Sequence, residues 1–186
     1  MFKKGISEKQ MLRLNSERSI ALKPFSKAAN CVFVFDGFDK LKFDSTQLFI
    51  ENIRKTNPNF KGMMLFFVDE KAPKLIKGET HIQSLHSEFD LGFVYAIHKN
   101  EFGFGSKIKN ERINELLSSK FDIVVSTDNE INPLLEGLFA QLSASMKVGV
   151  NNEFNQEFCD VIVEQKEQDK TMDRFVLMAK YVEMLG

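Results

Sequence analysis

Six short apolar runs recur along the chain, and they constrain its fold more than any other feature. Several of them lack polar alternation, and Val, Ile and Phe dominate. This pattern is typical of strands that are covered on both faces, as in parallel sheets. The runs are CVFVF (31–35), MMLFFV (63–68), LGFVYAI (91–97), DIVVS (122–126), KVGV (147–150) and DVIV (160–163). They predict the strands of one mainly parallel sheet.

Helical patterns lie between these runs. Ser7-Glu8-Lys9-Gln10 is a capping box and predicts a helix that continues to about Ala21. A second capping box, Asp44-Ser45-Thr46-Gln47, predicts a helix that stops at Asn57-Pro58. Each box supplies side-chain acceptors for the unpaired N–H groups of a first helical turn.

Two later helices have equally plain starts. Asn132 offers a side-chain acceptor at the cap, and Pro133 follows as a residue with no N–H to satisfy. The last helix is predicted from about Thr171, with one apolar face. That face consists of Phe175, Met178, Ala179, Val182 and Leu185. The alternation indicates an α/β fold: a three-layer α/β/α sandwich with a mainly parallel five- or six-stranded sheet, Rossmann-like or flavodoxin-like.

The chain has 186 residues, which fits a single α/β domain over 1–186. Within it, 1–28 is predicted as an N-terminal helical segment packed on the domain. The segment 69–90 is predicted as a long excursion with a short helix around 82–89. For the run 91–97, a parallel strand and an edge strand of either sense both remain open.

Composition and charge exclude several classes of function. The net charge is −1, so no global field attracts nucleic acid or an anionic membrane. No apolar run approaches the roughly 20 residues that span a bilayer. The start, MFKKGISEKQ, lacks the apolar region of a signal peptide, so a cytoplasmic protein is expected.

Cysteines and histidines predict neither a nucleophile nor a metal site. Cys31 and Cys159 border apolar runs and are interpreted as buried, unreactive thiols. His81 and His86 are five residues apart, which separates them on a helix, and His98 is isolated from both. We therefore predict no metal and no cofactor.

The stretch VFVFDGFDKLKFDS (32–45) resembles the opening of haloacid-dehalogenase-type phosphatases. In that family an apolar strand ends in two carboxylates spaced Asp-x-Asp, and the first attacks phosphorus beside Mg²⁺. Here Asp36 and Asp39 stand one residue too far apart, so the second side chain points in another direction. We interpret the stretch as a strand-to-helix loop in which Gly37 permits the turn.

Nucleotide-binding motifs are incomplete. The nearest to a dinucleotide fingerprint is Phe102-Gly103-Phe104-Gly105-Ser106, in which the third Gly is missing. One interpretation is an anion held by backbone amides at the following helix start. The other is a simple turn whose Ser106 caps that helix. The sequence contains no Walker A motif.

From Phe102 onward the order of features resembles a family of small, uncharacterised Bacteroidetes proteins. The shared features are FGSKIKNE, FDIVVS, NPLLEGLFAQLSASMKVGV, FCDVIVE and a closing FVLMAKYVEML helix. The resemblance covers roughly the last 85 residues and departs from the family at Gly105 and at 157–159. It implies an α/β fold, and it implies no activity, ligand or catalytic residue.

A more distant resemblance is to the N-terminal, Rossmann-like half of heptosyltransferase-like glycosyltransferases. It rests on the crossover that leads from FDIVVS to MKVGV. Those enzymes bind the sugar-nucleotide mainly through a second domain. This chain is too short to hold one, which argues against catalysis of that type.

Two hypotheses about function follow. The leading one is a non-enzymatic or degenerate α/β domain that binds a protein partner or a second copy of itself, but neither nucleic acid nor membrane. The alternative is a small-ligand binder, of nucleotide or sugar type, or an enzyme that uses the crevice at the carboxyl ends of the strands. The candidate residues for that crevice lie at or just past predicted strand ends: Asp36, Asp39, Ser126, Thr127, Asp128 and Asn151.

Overall fold

The computed structural model describes residues 8–68, 94–102, 108–166 and 170–185. Its strands form one sheet in the order β3-β2-β1-β4-β5-β6, and every neighbouring pair is parallel. The strands are β1 Asn30–Asp36, β2 Lys61–Val68, β3 Val94–His98, β4 Lys120–Ser126, β5 Ser143–Val150 and β6 Val161–Val163. The run 91–97, whose strand direction the sequence left open, contains β3. This strand is parallel to β2 and lies at an edge of the sheet.

Helices cover both faces of the sheet, which confirms the predicted α/β/α sandwich. They are α1 Glu8–Ser16, α2 Lys40–Thr56, α3 Glu111–Ser118, α4 Pro133–Gln141, α5 Glu153–Phe158 and α6 Thr171–Leu185, with a 3₁₀ turn at Lys99–Glu101. α2 and α6 pack on one face of the sheet. α1, α3, α4 and α5 pack on the other. The strand order is that of the Rossmann fold rather than of flavodoxin.

Phenylalanine fills the core between the sheet and the α2–α6 layer. The rings of Phe49 and Phe175 stack with centroids 4.8 Å apart and join the two helices. Phe33 of β1 meets both rings edge-on, at 5.9 and 5.4 Å. Such edge and offset contacts are favoured over face-to-face sandwiches. The chain has 19 Phe and no Trp, so phenylalanine supplies most of its aromatic core.

The predicted start of α2 is wrong by five residues. The helix begins at Lys40, and its N-cap is Asp39, whose Oδ1 accepts a hydrogen bond from the Leu41 N–H at 2.7 Å. Thr46 is consequently an interior residue, fully buried, and its hydroxyl donates to the Lys42 carbonyl at 2.6 Å. The predicted end at Asn57 is confirmed, as are the starts of α4 and α6.

The predicted length of α1 is also wrong, since the helix ends at Ser16 rather than near Ala21. Beyond it, the chain turns to follow the start of β5. The Ala21 N–H donates to the Ser145 carbonyl at 3.0 Å, and Arg18 donates to the Ala144 carbonyl at 3.3 Å. These contacts replace the hydrogen bonds that a longer helix would make.

Several predictions fall outside the described residues. They are the short helix around 82–89, the glycines Gly103 and Gly105 with Ser106, and the pair His81 and His86. In the part that the structure does describe, no helix combines the length and the apolar character needed to cross a membrane.

Candidate functional site

The sheet has one topological switch point, between β1 and β4. Strands to one side follow the order β1, β2, β3, and those to the other side follow β4, β5, β6. In open α/β sheets, ligands bind outside the carboxyl ends of the strands at such a point. The segments that follow Asp36 and Ser126 therefore form the candidate site.

Asp36 ends β1 and begins a tight turn. Gly37 has φ +77°, a conformation that glycine adopts without steric cost, and its N–H donates to the Phe67 carbonyl at 2.8 Å. The Asp36 Oδ2 accepts from the Asn132 N–H at 2.7 Å. This bond joins the β1 loop to the start of α4. The interpretation of Gly37 as the turn residue is confirmed.

Asp128 occupies the gap between the two loops. It is 6% exposed, and its Oδ2 accepts from the Asp36 N–H at 2.5 Å. Its Oδ1 forms an ion pair with Lys42 Nζ at 2.8 Å, and the same amine donates to the Asp36 carbonyl at 3.1 Å. We call Asp36, Lys42 and Asp128 the switch-point brace. Both of its carboxylates hold main-chain N–H groups across the β1–β4 seam.

Ser126 and Thr127 precede Asp128 and are each 1% exposed. Neither hydroxyl has a hydrogen-bond partner within the described residues. Consecutive residues of a strand point to opposite faces. Val124 belongs to the core beneath α4, so Ser126, two residues later in β4, faces the same layer.

The remaining two candidates do not join this group. Asp39 is exposed and is used as the cap of α2. Asn151 follows β5 and bonds instead to Glu164 at 2.8 Å and to Gln156 at 2.7 Å. Of the six residues, the structure therefore brings together Asp36, Ser126, Thr127 and Asp128, and it leaves Asp39 and Asn151 apart.

Sequence patterns did not identify three residues of the candidate site. Lys42 lies in the first turn of α2, Arg174 in the first turn of α6, and Asn152 just after β5. Arg174 Nη1 donates to the Thr127 carbonyl at 2.6 Å, and Asn152 Nδ2 donates to the Asp128 carbonyl at 3.1 Å. A basic residue in the first turn of a helix that follows a strand is a signal that could have identified Lys42.

Asp122 lies at the opposite end of β4. Its carboxylate accepts from Lys23 Nζ at 2.8 Å and from the Ala29 N–H at 2.6 Å, while its own N–H donates to Asn30 Oδ1 at 2.7 Å. Burial opposes ionisation here, but the bonds from Lys23, Ala29 and Asn30 outweigh it and lower the pKa of Asp122. This set of contacts joins β1 and β4 at their amino ends.

A second polar cluster lies beneath α1 and α4, away from the switch point. Lys147 of β5 is fully buried, and its Nζ donates to the last-turn carbonyls of α4 at Phe139 (3.0 Å) and Ala140 (3.2 Å). Burial, and then the positive charge of Arg18, lower the pKa of Lys147 to about 7. Arg18 pairs with Asp160 at 2.7 Å.

The cysteines are not activated. Cys31 is buried, and Cys159 lies partly buried near Lys147. Burial raises the pKa of the Cys159 thiol to about 12, and it raises the pKa of Cys31 well above its usual value. Over the described ranges, no three His, Cys, Asp or Glu residues are grouped so that they could hold a metal ion.

A family model described as "Family of unknown function (DUF6913)" matches residues 2–185. No curated protein matches the chain. Among solved structures, the crystal structure of the glycosyl transferase family 9 protein from Veillonella parvula DSM 2008 is similar, with a TM-score of 0.51 and 16% sequence identity. The likeness covers 88% of this chain and 43% of that one, so the chain spans less than half of that protein.

At 16% identity, this likeness concerns the fold alone. It agrees with the resemblance of the crossover to heptosyltransferase-like glycosyltransferases, and it assigns no substrate. The family model, in contrast, spans nearly the whole sequence, including the N-terminal segment that precedes β1. The chain therefore belongs to DUF6913, a family of proteins of unknown function.

Proposed function

We propose that the protein is a binding domain without catalytic chemistry of its own, and that its α2–α6 layer binds a protein partner. The observation that carries this proposal is the uneven distribution of exposed apolar side chains. The described residues include eleven large apolar side chains that are exposed, and seven lie on this layer or its lead-in loop. The seven are Phe38, Leu41, Leu48, Val176, Tyr181, Met184 and Leu185.

The exposure of these side chains is large. Leu41 is 75% exposed and Met184 is 73% exposed. Leu41 and Leu48 are seven residues apart, so they lie on the same outward face of α2. Large exposed apolar patches mark interaction sites, whereas single exposed apolar side chains are ordinary. On the opposite layer, Leu12 of α1 is the comparable helical side chain among the described residues.

The state of the strand-end acids supports binding over catalysis. A general base or nucleophile must present an available electron pair to a substrate. Asp39 caps α2, while Asp36 and Asp128 accept main-chain hydrogen bonds in the switch-point brace. Asp128 is further paired with Lys42. These carboxylates therefore stabilise loops.

Site-specific photo-crosslinking tests the proposal. A crosslinking amino acid at Val176 is placed on the proposed surface, and one at Glu115 on the exposed face of α3 serves as the matched control. We expect discrete crosslinked products from position 176 in cells and few from position 115. Crosslinking of the purified protein from position 176 would identify a second copy as the partner.

Two results would contradict the proposal. One is equal crosslinking from both positions, which would mean that the α2–α6 layer has no special role. The other is unchanged crosslinking from position 176 after Leu41→Glu and Met184→Glu, because both substitutions place charge on the proposed surface. Circular dichroism of the double variant verifies that it is folded.

A further inference from the structure

Arg174 carries a positive charge that the described part of the protein does not neutralise. Its Nη1 donates to the Thr127 carbonyl at 2.6 Å, and its Nε has no partner there although the atom is buried. None of the ion pairs formed within the described residues involves Arg174. The guanidinium edge formed by Nε and the second terminal nitrogen therefore has no hydrogen-bond partner among the described residues. That edge binds carboxylate and phosphate groups with two parallel hydrogen bonds.

Thr127, whose carbonyl accepts from this guanidinium, also carries a hydroxyl that is unpaired in the part of the chain that the structure describes. Thr127 is 1% exposed, and its Oγ1 has no partner among the described residues. A buried hydroxyl without a partner destabilises the free chain, and a bound acceptor would satisfy it.

Gln165 supplies a hydrogen-bond acceptor that is unpaired within the described part of the chain. Its side-chain nitrogen donates to the Asn129 side-chain oxygen, which fixes the orientation of the amide. The Gln165 Oε1 is buried and has no partner within the described ranges. The three residues together therefore carry a cationic fork, a hydroxyl and a carbonyl-type acceptor, each with an atom that has no partner within the described residues. A ligand that carries both an oxyanion and a hydroxyl group matches this set.

The neighbouring acids are already engaged. Asp128 is paired with Lys42 at 2.8 Å, and Asp173 accepts from the Lys170 N–H at 3.0 Å. Arg174 also lies in the first turn of α6, a helix of 15 residues whose N-terminus carries a partial positive charge. The start of α6 therefore adds partial positive charge near the Arg174 guanidinium.

We propose that Arg174, Thr127 and Gln165 form a site for the phosphate or carboxylate group of a small hydroxyl-bearing ligand. Arg174 binds the oxyanion through its open edge, Thr127 donates its hydroxyl to the same group, and Gln165 accepts from a ligand hydroxyl. The site lies at the carboxyl end of β4, and it includes two residues that sequence patterns did not single out. It does not depend on the partner surface proposed above.

Nuclear magnetic resonance titration of the full chain tests the site. Inorganic phosphate, acetate and sodium chloride are added separately at matched ionic strength. We expect phosphate or acetate to shift the Arg174 Nε–H and Thr127 amide signals with a dissociation constant on the order of 1 mM. Tighter binding of phosphate assigns a phosphoryl group, and tighter binding of acetate assigns a carboxylate.

Three variants keep the test specific. Arg174→Lys retains the charge but loses the fork, so binding should weaken about tenfold. Thr127→Val removes only the hydroxyl and should weaken binding severalfold. Arg112→Lys, on the exposed surface of α3, is the matched control and should bind as the unchanged chain does.

Two outcomes would overturn the site. The first is that neither phosphate nor acetate produces a saturable shift beyond that caused by sodium chloride. The second is that Arg174→Lys binds as tightly as the unchanged chain, which would place the anion elsewhere. Crosslinking from the α2–α6 layer is unaffected by either outcome, so this proposal and the proposed function fail separately.

Discussion

The switch-point brace shows how a single carboxylate can organise two loops. Asp128 is 6% exposed and contacts both the Asp36 N–H and Lys42, whose side chain is 23% exposed. Removing one partner of a buried ion pair leaves the other charge uncompensated. Stability at this position therefore depends on charge as well as on shape.

We expect Asp128→Asn to lower the free energy of unfolding by about 3 kcal/mol, because Lys42 loses its counter-charge. Urea denaturation measures the change. Asp44→Asn is the matched control: it removes a Lys–Asp pair from the same helix, but that pair is 3.3 Å long and largely exposed. Its effect should stay within about 0.5 kcal/mol. Equal losses in the two variants would exclude a role for burial.

Lys147 predicts a pH dependence of stability. Its pKa is about 7 in the folded chain and near its usual value of 10.5 when unfolded. Between these values the unfolded chain binds the extra proton, so the free energy of unfolding rises as pH increases. We expect a gain of about 2 kcal/mol between pH 7 and 9, measured by urea denaturation.

The two cysteines set the upper pH limit of this rise in the free energy of unfolding. Folding raises the pKa of Cys31 and Cys159, so the unfolded chain loses thiol protons first and stability falls above the usual thiol value of 9.0. Lys147→Met is the control, since it removes the titrating amine and should abolish the rise between pH 7 and 9. A rise that persists in this variant would rule out Lys147 as its cause.

At the scale of elements, the strands were the most predictable part. Buried parallel strands are apolar on both faces, so runs such as CVFVF mark them directly. One helix start was predicted wrongly: the capping box indicated Asp44 as the cap of α2, whereas the helix uses Asp39. The choice of Asp39 places Phe43 and Thr46 toward the sheet, and this tertiary packing is invisible to a local motif.

The early end of α1 has a similar cause. Arg18 leaves the helix to reach Asp160, and the two side chains are 6% and 10% exposed. No local pattern links residues so distant in sequence. The predicted continuation to about Ala21 therefore failed because a buried ion pair outweighed helix propensity.

We expect Arg18→Gln to loosen α1 and the segment 17–22 while leaving the central strands intact. The substitution removes the charged partner of Asp160 that holds this segment against β5. Hydrogen exchange measured by mass spectrometry should show faster exchange, by at least about tenfold, in 8–22 only. Arg13→Gln is the matched control because the Arg13–Glu17 pair is exposed. If both variants exchanged alike, Arg18 would not be what attaches α1.

At the scale of the whole molecule, the fold class followed from the alternation of strands and helices. The strand order did not, because it depends on pairings between distant segments, such as β1 with β4. The candidate site was predicted in part: position after a strand identified Asp36, Ser126, Thr127 and Asp128. Lys42 and Arg174 reach that site from other elements, and Asp39 and Asn151 share only its sequence pattern.

The contacts at the two ends of the β1–β4 seam also fix the register of these two strands. Both strands are apolar on both faces, so a slip of two residues would keep each side chain on its own face of the sheet. Asn30 and Asp122 fasten one end, and Asp36 and Asp128 fasten the other. Asp36 and Asp128 were first considered as candidates for a ligand site. Together with Asn30 and Asp122, they instead select one register of β1 against β4 from several that bury similar apolar side chains.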